Sequence, residues 1–361
     1  MMDDVEMKDA TEEVTTFNKI SKKKEETKNM LPFIEKYRPS SFDGIISHED
    51  ILSTINLFIQ KKSIPHFLFH GPPGTGKTSC ILALAHHLYG DSYKSMTLEL
   101  NASDDRGINI VREKIKDFCG ALSSFNTMLS LSNSQSQGTT KSFKLVILDE
   151  ADMMTSAAQF ALRRVIEKYT KNVRFCLICN QVNKIIPAIQ SRCMRFRFSP
   201  LKKEQCLKRL IEICTKEGIR YQNENALHKI IEIGKGDMRK ILNVLESTYM
   251  TFDMLTEDNV YSSAGLATSN QIHSIIQIIQ DKSKSFDEVY QMIYNLKLEN
   301  GFAMSDLIAE MCKYVRAISP QLPIDVQRNC FKLMAKMDYL DNIGGNEKII
   351  MSNMISAIRS I

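Results

Sequence analysis

No stretch of the chain approaches the roughly 18 consecutive apolar residues that a membrane-spanning helix requires, and no signal peptide opens it. A membrane or secreted protein is therefore not expected. The nine cysteines are odd in number and scattered, which points to a reducing compartment and buried thiols rather than a disulfide framework. Cys176 and Cys179 form a Cys-x-x-Cys, but no second pair stands at zinc spacing, and Val173-Arg-Phe-Cys-Leu-Ile-Cys179 reads as a buried strand whose i and i+3 side chains face opposite ways. No charge of one sign dominates either. Forty-seven Lys and Arg against 42 Asp and Glu leave +5, an excess that permits a nucleic-acid partner without indicating one. No short-period repeat is visible either. What remains is ordinary for a soluble globular chain: 361 residues, 43% hydrophobic and 25% charged, long enough for two or three domains.

Residues 1–30 hold few large apolar side chains, with acids from Asp3 to Glu13 and then Lys22-Lys23-Lys24. That composition predicts a disordered charged tail. From Ile34 to Phe198 short apolar runs alternate with helical patterns, the arrangement of a parallel sheet covered on both faces. The expected strands are His66–His70, Met96–Asn101, Lys144–Leu148, Val173–Cys179 and Met194–Phe198. Ser130–Ser142 is rich in Ser, Gln, Thr and Gly and predicts a mobile surface loop. Beyond Ser199-Pro200 the periodicity turns helical, with Cys206, Leu207, Leu210, Ile211 and Cys214 on one stripe. Three further stripes follow Thr268: Ile272, Ile275, Ile276 and Ile279; Leu307, Ile308, Met311 and Val315; Met351, Met354, Ile355 and Ile358. Such faces suit either a core or a subunit interface.

The sharpest local signal is Gly71-Pro-Pro-Gly-Thr-Gly-Lys-Thr78, a GxxxxGK[ST] run after an apolar strand and before the helical pattern Ile81, Leu82, Leu84, Ala85, Leu88. Gly74 and Gly76 permit backbone conformations that turn successive N–H groups inward, making a phosphate cradle at a helix N-terminus. Lys77 then pairs with the β and γ phosphates, and Thr78 offers its hydroxyl to Mg²⁺. Leu145-Val-Ile-Leu-Asp149-Glu150 is an apolar strand that delivers two acids to the sheet edge where α/β folds bind ligands. Asp149 suits the metal shell, and Glu150 suits activation of an attacking water, as phosphoanhydride hydrolysis needs.

At this point the sequence resembles the AAA+ ATPases, and among them the small subunits of eukaryotic replication factor C, the sliding-clamp loader. The resemblance covers nearly all of the chain after residue 31. It is carried by Ile34-Glu-Lys-Tyr-Arg-Pro39, Gly71 to Thr78, Asn101-Ala-Ser-Asp-Asp-Arg-Gly-Ile108, Leu148-Asp-Glu-Ala-Asp152, Ala161-Leu-Arg-Arg-Val-Ile-Glu-Lys-Tyr169, Arg174-Phe-Cys-Leu-Ile-Cys-Asn180, Ser191-Arg-Cys193 and Gly236-Asp-Met-Arg239. Arg163 to Tyr169 and Gly345-Asn-Glu-Lys348 look most like the subgroup numbered five in animals and three in budding yeast. The implied architecture is a disordered tail over 1–31, an α/β AAA+ P-loop domain with a parallel five-stranded sheet over 32–199, a small helical lid over 200–266 and an all-α collar used for oligomerisation over 267–361.

The resemblance also implies roles. Tyr37, Arg38 and Pro39 would border the adenine of ATP, with Gly71, Pro72, Pro73, Gly74, Thr75, Gly76, Lys77, Thr78 and Ser79 around the phosphates. Thr78 and Asp149 would hold Mg²⁺. Asn180 resembles sensor 1, which orients the attacking water, and Arg239 resembles sensor 2, a cation in a helical first turn where only an anion makes it welcome. Arg192 resembles the arginine finger that acts in trans on a neighbour's ATP. Arg106, Gly107, Ile108 and Arg112 would contact the backbone of primer-template DNA, without reading sequence. Clamp contact falls to Phe125, Met128, Leu129 and Leu131, although Ser130–Ser142 reads as an insertion there. The expected partners are the other replication factor C subunits of a hetero-pentamer and the sliding clamp, PCNA, in the nucleus. An AAA+ motor would need an aromatic pore loop after the second strand, and Asn101–Ile108 holds no aromatic. A non-hydrolysing nucleotide-bound scaffold is disfavoured by intact Lys77, Asp149, Glu150 and Asn180.

Overall fold

The computed structural model describes residues 31–39, 41–61, 63–103, 108–120 and 143–359. The expected charged tail, the Ser130–Ser142 loop, the four apolar clamp candidates, Arg106 and Gly107 lie outside them. In chain order the elements of the first part are α1 (Phe33–Lys36), α2 (Glu49–Gln60), β1 (Phe67–His70), α3 (Lys77–Tyr89), α4 (Tyr93–Met96), β2 (Thr97–Asn101), α5 (Ile108–Gly120), β3 (Lys144–Asp149), α6 (Ser156–Tyr169), β4 (Val173–Cys179), α7 (Pro187–Gln190) and β5 (Met194–Arg197). Then come α8 (Lys203–Glu217), α9 (Glu224–Gly234), α10 (Met238–Thr251), α11 (Glu257–Ser263), α12 (Ser269–Gln280), α13 (Phe286–Asn300), α14 (Met304–Ile318), α15 (Ile324–Asn342) and α16 (Glu347–Arg359).

The five strands pair in the order β2-β3-β4-β1-β5, every neighbour parallel. Parallel strands need crossovers that cover both faces with helices, and the burial agrees: β3 is buried from Lys144 to Leu148, and in β4 only Arg174 is partly open. Alternating side chains feed two separate cores. Phe67, Phe69, Leu145, Ile147, Cys176 and Ile178 pack on one face with Ile81 and Leu84 of α3. Leu68, Val146, Leu148, Phe175, Leu177 and Cys179 pack on the other with Leu162, Val165 and Ile166 of α6. Cys176 and Cys179 thus belong to opposite layers, as the strand period requires.

By internal contacts the chain forms two compact units. The first comprises the described residues up to Gly218 together with Ile230–Glu246, so parts of the helical segment after the sheet pack with it. The second comprises Ile219–Lys229 and the described residues from Ser247. Its core is the meeting of the three predicted stripes, with all twelve of those residues buried beside Val289, Ile293, Cys330, Met334 and Met337. Two of its helices, α12 and α13, start on capping boxes. Thr268 and Ser285 each close a capping box with Gln271 and Glu288, satisfying N–H groups that the helix leaves unpaired.

Candidate functional site

β1 is flanked by β4 and β5, so the loop leaving its carboxyl end enters the crevice beside the ends of β3 and β4. Gly71, Gly74 and Gly76 take φ of 147°, 65° and 92°, left-handed values that glycine adopts at little cost. Gly76 N-caps α3, and Lys77 is its first residue. The Lys77 ammonium is nearly buried and spends its three N–H groups on Gly71 O (2.8 Å), Pro72 O (2.8 Å) and Asn180 Oδ1 (3.0 Å). Burial pulls its pKa below the usual lysine value, and the Asp149 charge opposes that shift. The sequence assigns Lys77 to the β and γ phosphates and Asn180 to the attacking water, and the two side chains stand in direct contact here.

Thr78 Oγ1 donates to Asp149 Oδ2 at 2.7 Å, and the other carboxylate oxygen accepts the Glu150 N–H at 2.8 Å. A hydroxyl and a carboxylate so placed suit Mg²⁺, which takes few protein oxygens and keeps water and phosphate ligands. Among the described residues no cluster of three or more His, Cys, Asp or Glu offers a rival metal site. Glu150 has φ of 52°. A left-handed non-glycine residue costs on the order of 1–3 kcal/mol, and here it turns the second acid off the strand pleat so that both acids line one cleft. Asp152 Oδ2 accepts the Gln181 N–H at 3.3 Å, tying the segment after β3 to the end of β4 beside Asn180.

Tyr37, Arg38 and Pro39 line the same cleft, and Arg239 lines it from the first turn of α10. Asp237 caps that turn by accepting the N–H groups of Arg239 (2.9 Å) and Lys240 (3.3 Å). Met238 N–H donates to Gly74 O at 3.1 Å, so the phosphate loop and α10 are joined directly. A Cβ on Gly74 would lie 1.6 Å from Asp237 Oδ1. Gly74→Ala is therefore expected to displace the cap and strain φ, costing about 2–4 kcal/mol; a melting curve should fall by several degrees. An unchanged melting temperature would mean that this junction is looser than the structure has it.

Of the expected nucleotide residues, Tyr37, Arg38, Pro39, Pro73 to Ser79, Asp149, Glu150, Asn180 and Arg239 line this one cleft, while Gly71 and Pro72 contribute the carbonyls that hold Lys77. Ile34, Glu35 and Met238, which stand within the motifs carrying the resemblance, line it as well, and so do Ile45, Ile46, Ser47, Leu201, Arg209 and Leu242, which carried no sequence signal apart from apolar periodicity in α10. Arg192 does not line it. It follows α7, pairs with Glu167 Oε1 at 2.6 Å and donates to Ala188 O at 2.7 Å. Ile108 and Arg112 stand in the first turns of α5.

Comparison with known proteins fits this geometry. The family model described as ATPase family associated with various cellular activities matches residues 67–201, an RCF1/5-like AAA+ ATPase lid domain matches 208–250, and the replication factor C C-terminal domain matches 267–357. Replication factor C subunit 5 of Homo sapiens is 45% identical over 330 residues, covering 91% of this chain and 92% of the human one. The chain belongs to the replication factor C family. Probable replication factor C subunit 5 of Dictyostelium discoideum is 44% identical, covering 91% of this chain and 90% of that one, and replication factor C subunit 3 of Saccharomyces cerevisiae is 39% identical, covering 92% and 94%. The similarity thus runs to the animal subunit five and yeast subunit three group. As a member of the replication factor C family, the chain has an AAA domain with a parallel five-stranded sheet, a lid and a helical C-terminal domain, and Pro73 to Ser79, Asp149, Glu150 and Asn180 of the cleft fall within the residues matched by the AAA model.

Proposed function

We propose that the chain is an ATP-binding and ATP-hydrolysing small subunit of a replication factor C clamp loader, acting in the nucleus to open the sliding clamp, PCNA, and load it onto primer-template DNA. The observation that carries this is a division of labour. Lys77, Thr78, Asp149, Glu150, Asn180 and Arg239 gather in one cleft, whereas Arg192 lies outside it with its guanidinium partly exposed. The chain then holds its own nucleotide and lends a cation to a neighbour's.

In that reading the phosphate loop N–H groups and Lys77 bind the triphosphate, and Lys77 exchanges loop carbonyls for phosphate oxygens. Thr78 and Asp149 would hold Mg²⁺, which neutralises phosphate charge when bound. Asn180 orients the attacking water through its amide, and Glu150 accepts the water's proton. Arg239 reports the γ-phosphate to the lid through Met238 and Gly74. Residues 32–199, 200–266 and 267–361 serve as ATPase domain, lid and oligomerising collar. Arg106, Gly107, Ile108 and Arg112 meet the DNA backbone, the last two from the first turns of α5, where N–H groups and guanidinium suit phosphate.

The ATPase rate of the chain alone and with its partner subunits, each with and without primed DNA and clamp, tests the proposal. Strong stimulation only in the full mixture is expected, and vigorous activity indifferent to DNA and clamp would overturn it in favour of a self-sufficient motor. Arg192→Ala is expected to leave this chain's own nucleotide affinity unchanged while lowering the assembled ATPase by about 10³-fold at the neighbouring site. Equal loss of affinity in the isolated chain would remove the trans assignment.

A further inference from the structure

Glu217 is the last residue of α8, immediately before Gly218, which closes the helix with φ of 67°. A carboxylate in a last helical turn faces the negative end of the helix dipole and is disfavoured there unless a cation or donor meets it. Both are present, and both come from a segment 180 residues earlier. Lys36 Nζ pairs with Glu217 Oε1 at 2.7 Å, with both side chains largely buried, and the Tyr37 hydroxyl donates to the same oxygen. Arg209, about two turns earlier in α8, donates through Nη2 to Tyr37 O at 3.4 Å. Glu246 Oε2 accepts the Phe33 N–H at 3.1 Å. Burial alone would raise the Glu217 carboxyl; the bonds from Lys36 and Tyr37 and the lysine's charge outweigh it and hold the group below its ordinary value.

The fastened segment matters because Ile34, Glu35, Tyr37, Arg38 and Pro39 line the cleft, as do Leu201, Arg209 and Leu242. In the nucleotide-binding reading Tyr37, Arg38 and Pro39 border the base, while the phosphate loop and the two acids face the triphosphate. Residues 33–39 therefore form a strap, and α8 holds it down.

Resting on the nucleotide-binding reading above, we infer that Glu217 is a positioning residue that pins the strap across the base end of the cleft, so that it sets how long, and how selectively, a purine base is retained while leaving phosphate binding untouched. Removing the carboxylate leaves Lys36 and the Tyr37 hydroxyl without their common partner, so the strap loses the one charged oxygen that joins two of its side chains to α8. Charge-assisted bonds are the strong ones, so the release rate should respond.

The test uses the full chain with fluorescent ATP and ADP analogues. Glu217→Gln and Glu217→Ala are expected to weaken both by about 5- to 20-fold, mainly through faster dissociation, and to narrow the preference for ATP over GTP. Glu217→Asp should recover part of the loss. Tyr37→Phe, which keeps the ring and the Lys36 pair, should give a smaller loss in the same direction. Inorganic tripolyphosphate, which has no base, should bind wild type and variants alike. Unchanged nucleotide dissociation in the Glu217 variants would overturn the inference, and so would an equal loss of tripolyphosphate affinity, which would mark a general loosening. Absence of nucleotide binding in the wild-type chain would instead strike the underlying reading.

Discussion

Lys77→Ala is expected to abolish nucleotide binding while leaving the fold intact. The ammonium is the point where the phosphate loop and the end of β4 meet, through Gly71 O, Pro72 O and Asn180 Oδ1. Those three acceptors are held by the fold whether or not lysine is there, since Gly71 and Pro72 follow β1 and Asn180 follows β4. A triphosphate presents more negative charge than three neutral acceptors, so the exchange favours binding, and burial strengthens the attraction. Losing a buried charge-assisted contact of this kind costs about 3 kcal/mol or more, above a hundred-fold in affinity. Stability should move little, because the methylene packing lost is offset by relief of a desolvated cation whose pKa burial already depresses. Titration of a fluorescent nucleotide and a thermal melt on the same variant separate the two effects. Binding within a few-fold of wild type would remove Lys77 from the phosphate site.

The phosphate loop was legible because its chemistry is local: glycines, lysine and threonine at fixed spacing between a strand and a helix. The strands were legible for a related reason. Buried parallel strands are short apolar runs, and Val173–Cys179 is found with the bounds read from the sequence. The other four agree within a residue at each end. The helical stripes from Ile272 to Ile358 were legible because α-periodicity survives wherever one face is buried. What escaped is what sequence distance hides. The strand order, with β1 between β4 and β5, depends on crossovers rather than on any run of residues. Asp237 stood within a quoted motif, yet its place against Gly74 appears only once α10 meets the phosphate loop. Glu217 broke a local rule, an acid at a helix C-terminus, and that is the one signal that could have marked it. Arg209 resembled any exposed-face arginine of an amphipathic helix until Tyr37 O met it.

Glu150→Gln should separate binding from turnover. Asp149 is already engaged through both oxygens, with Thr78 and with the Glu150 N–H, so its place in the cleft does not depend on the Glu150 side chain. Glutamine matches glutamate in size and tolerates the same left-handed backbone no worse, so the turn at φ of 52° should persist. Lys77, Thr78 and the loop N–H groups remain, and nucleotide affinity is expected within about two-fold of wild type, since no direct charge-assisted contact is lost. An amide cannot take a proton from water, and loss of a general base typically lowers rate by about 10²–10⁴-fold. The assembled complex should accordingly bind nucleotide and fail to turn over what this site holds, whereas Asp149→Asn should weaken Mg²⁺-dependent binding itself. If Glu150→Gln leaves hydrolysis at this site unchanged, the second acid is only a cleft wall, and the base must be sought among the other groups that face the γ-phosphate end.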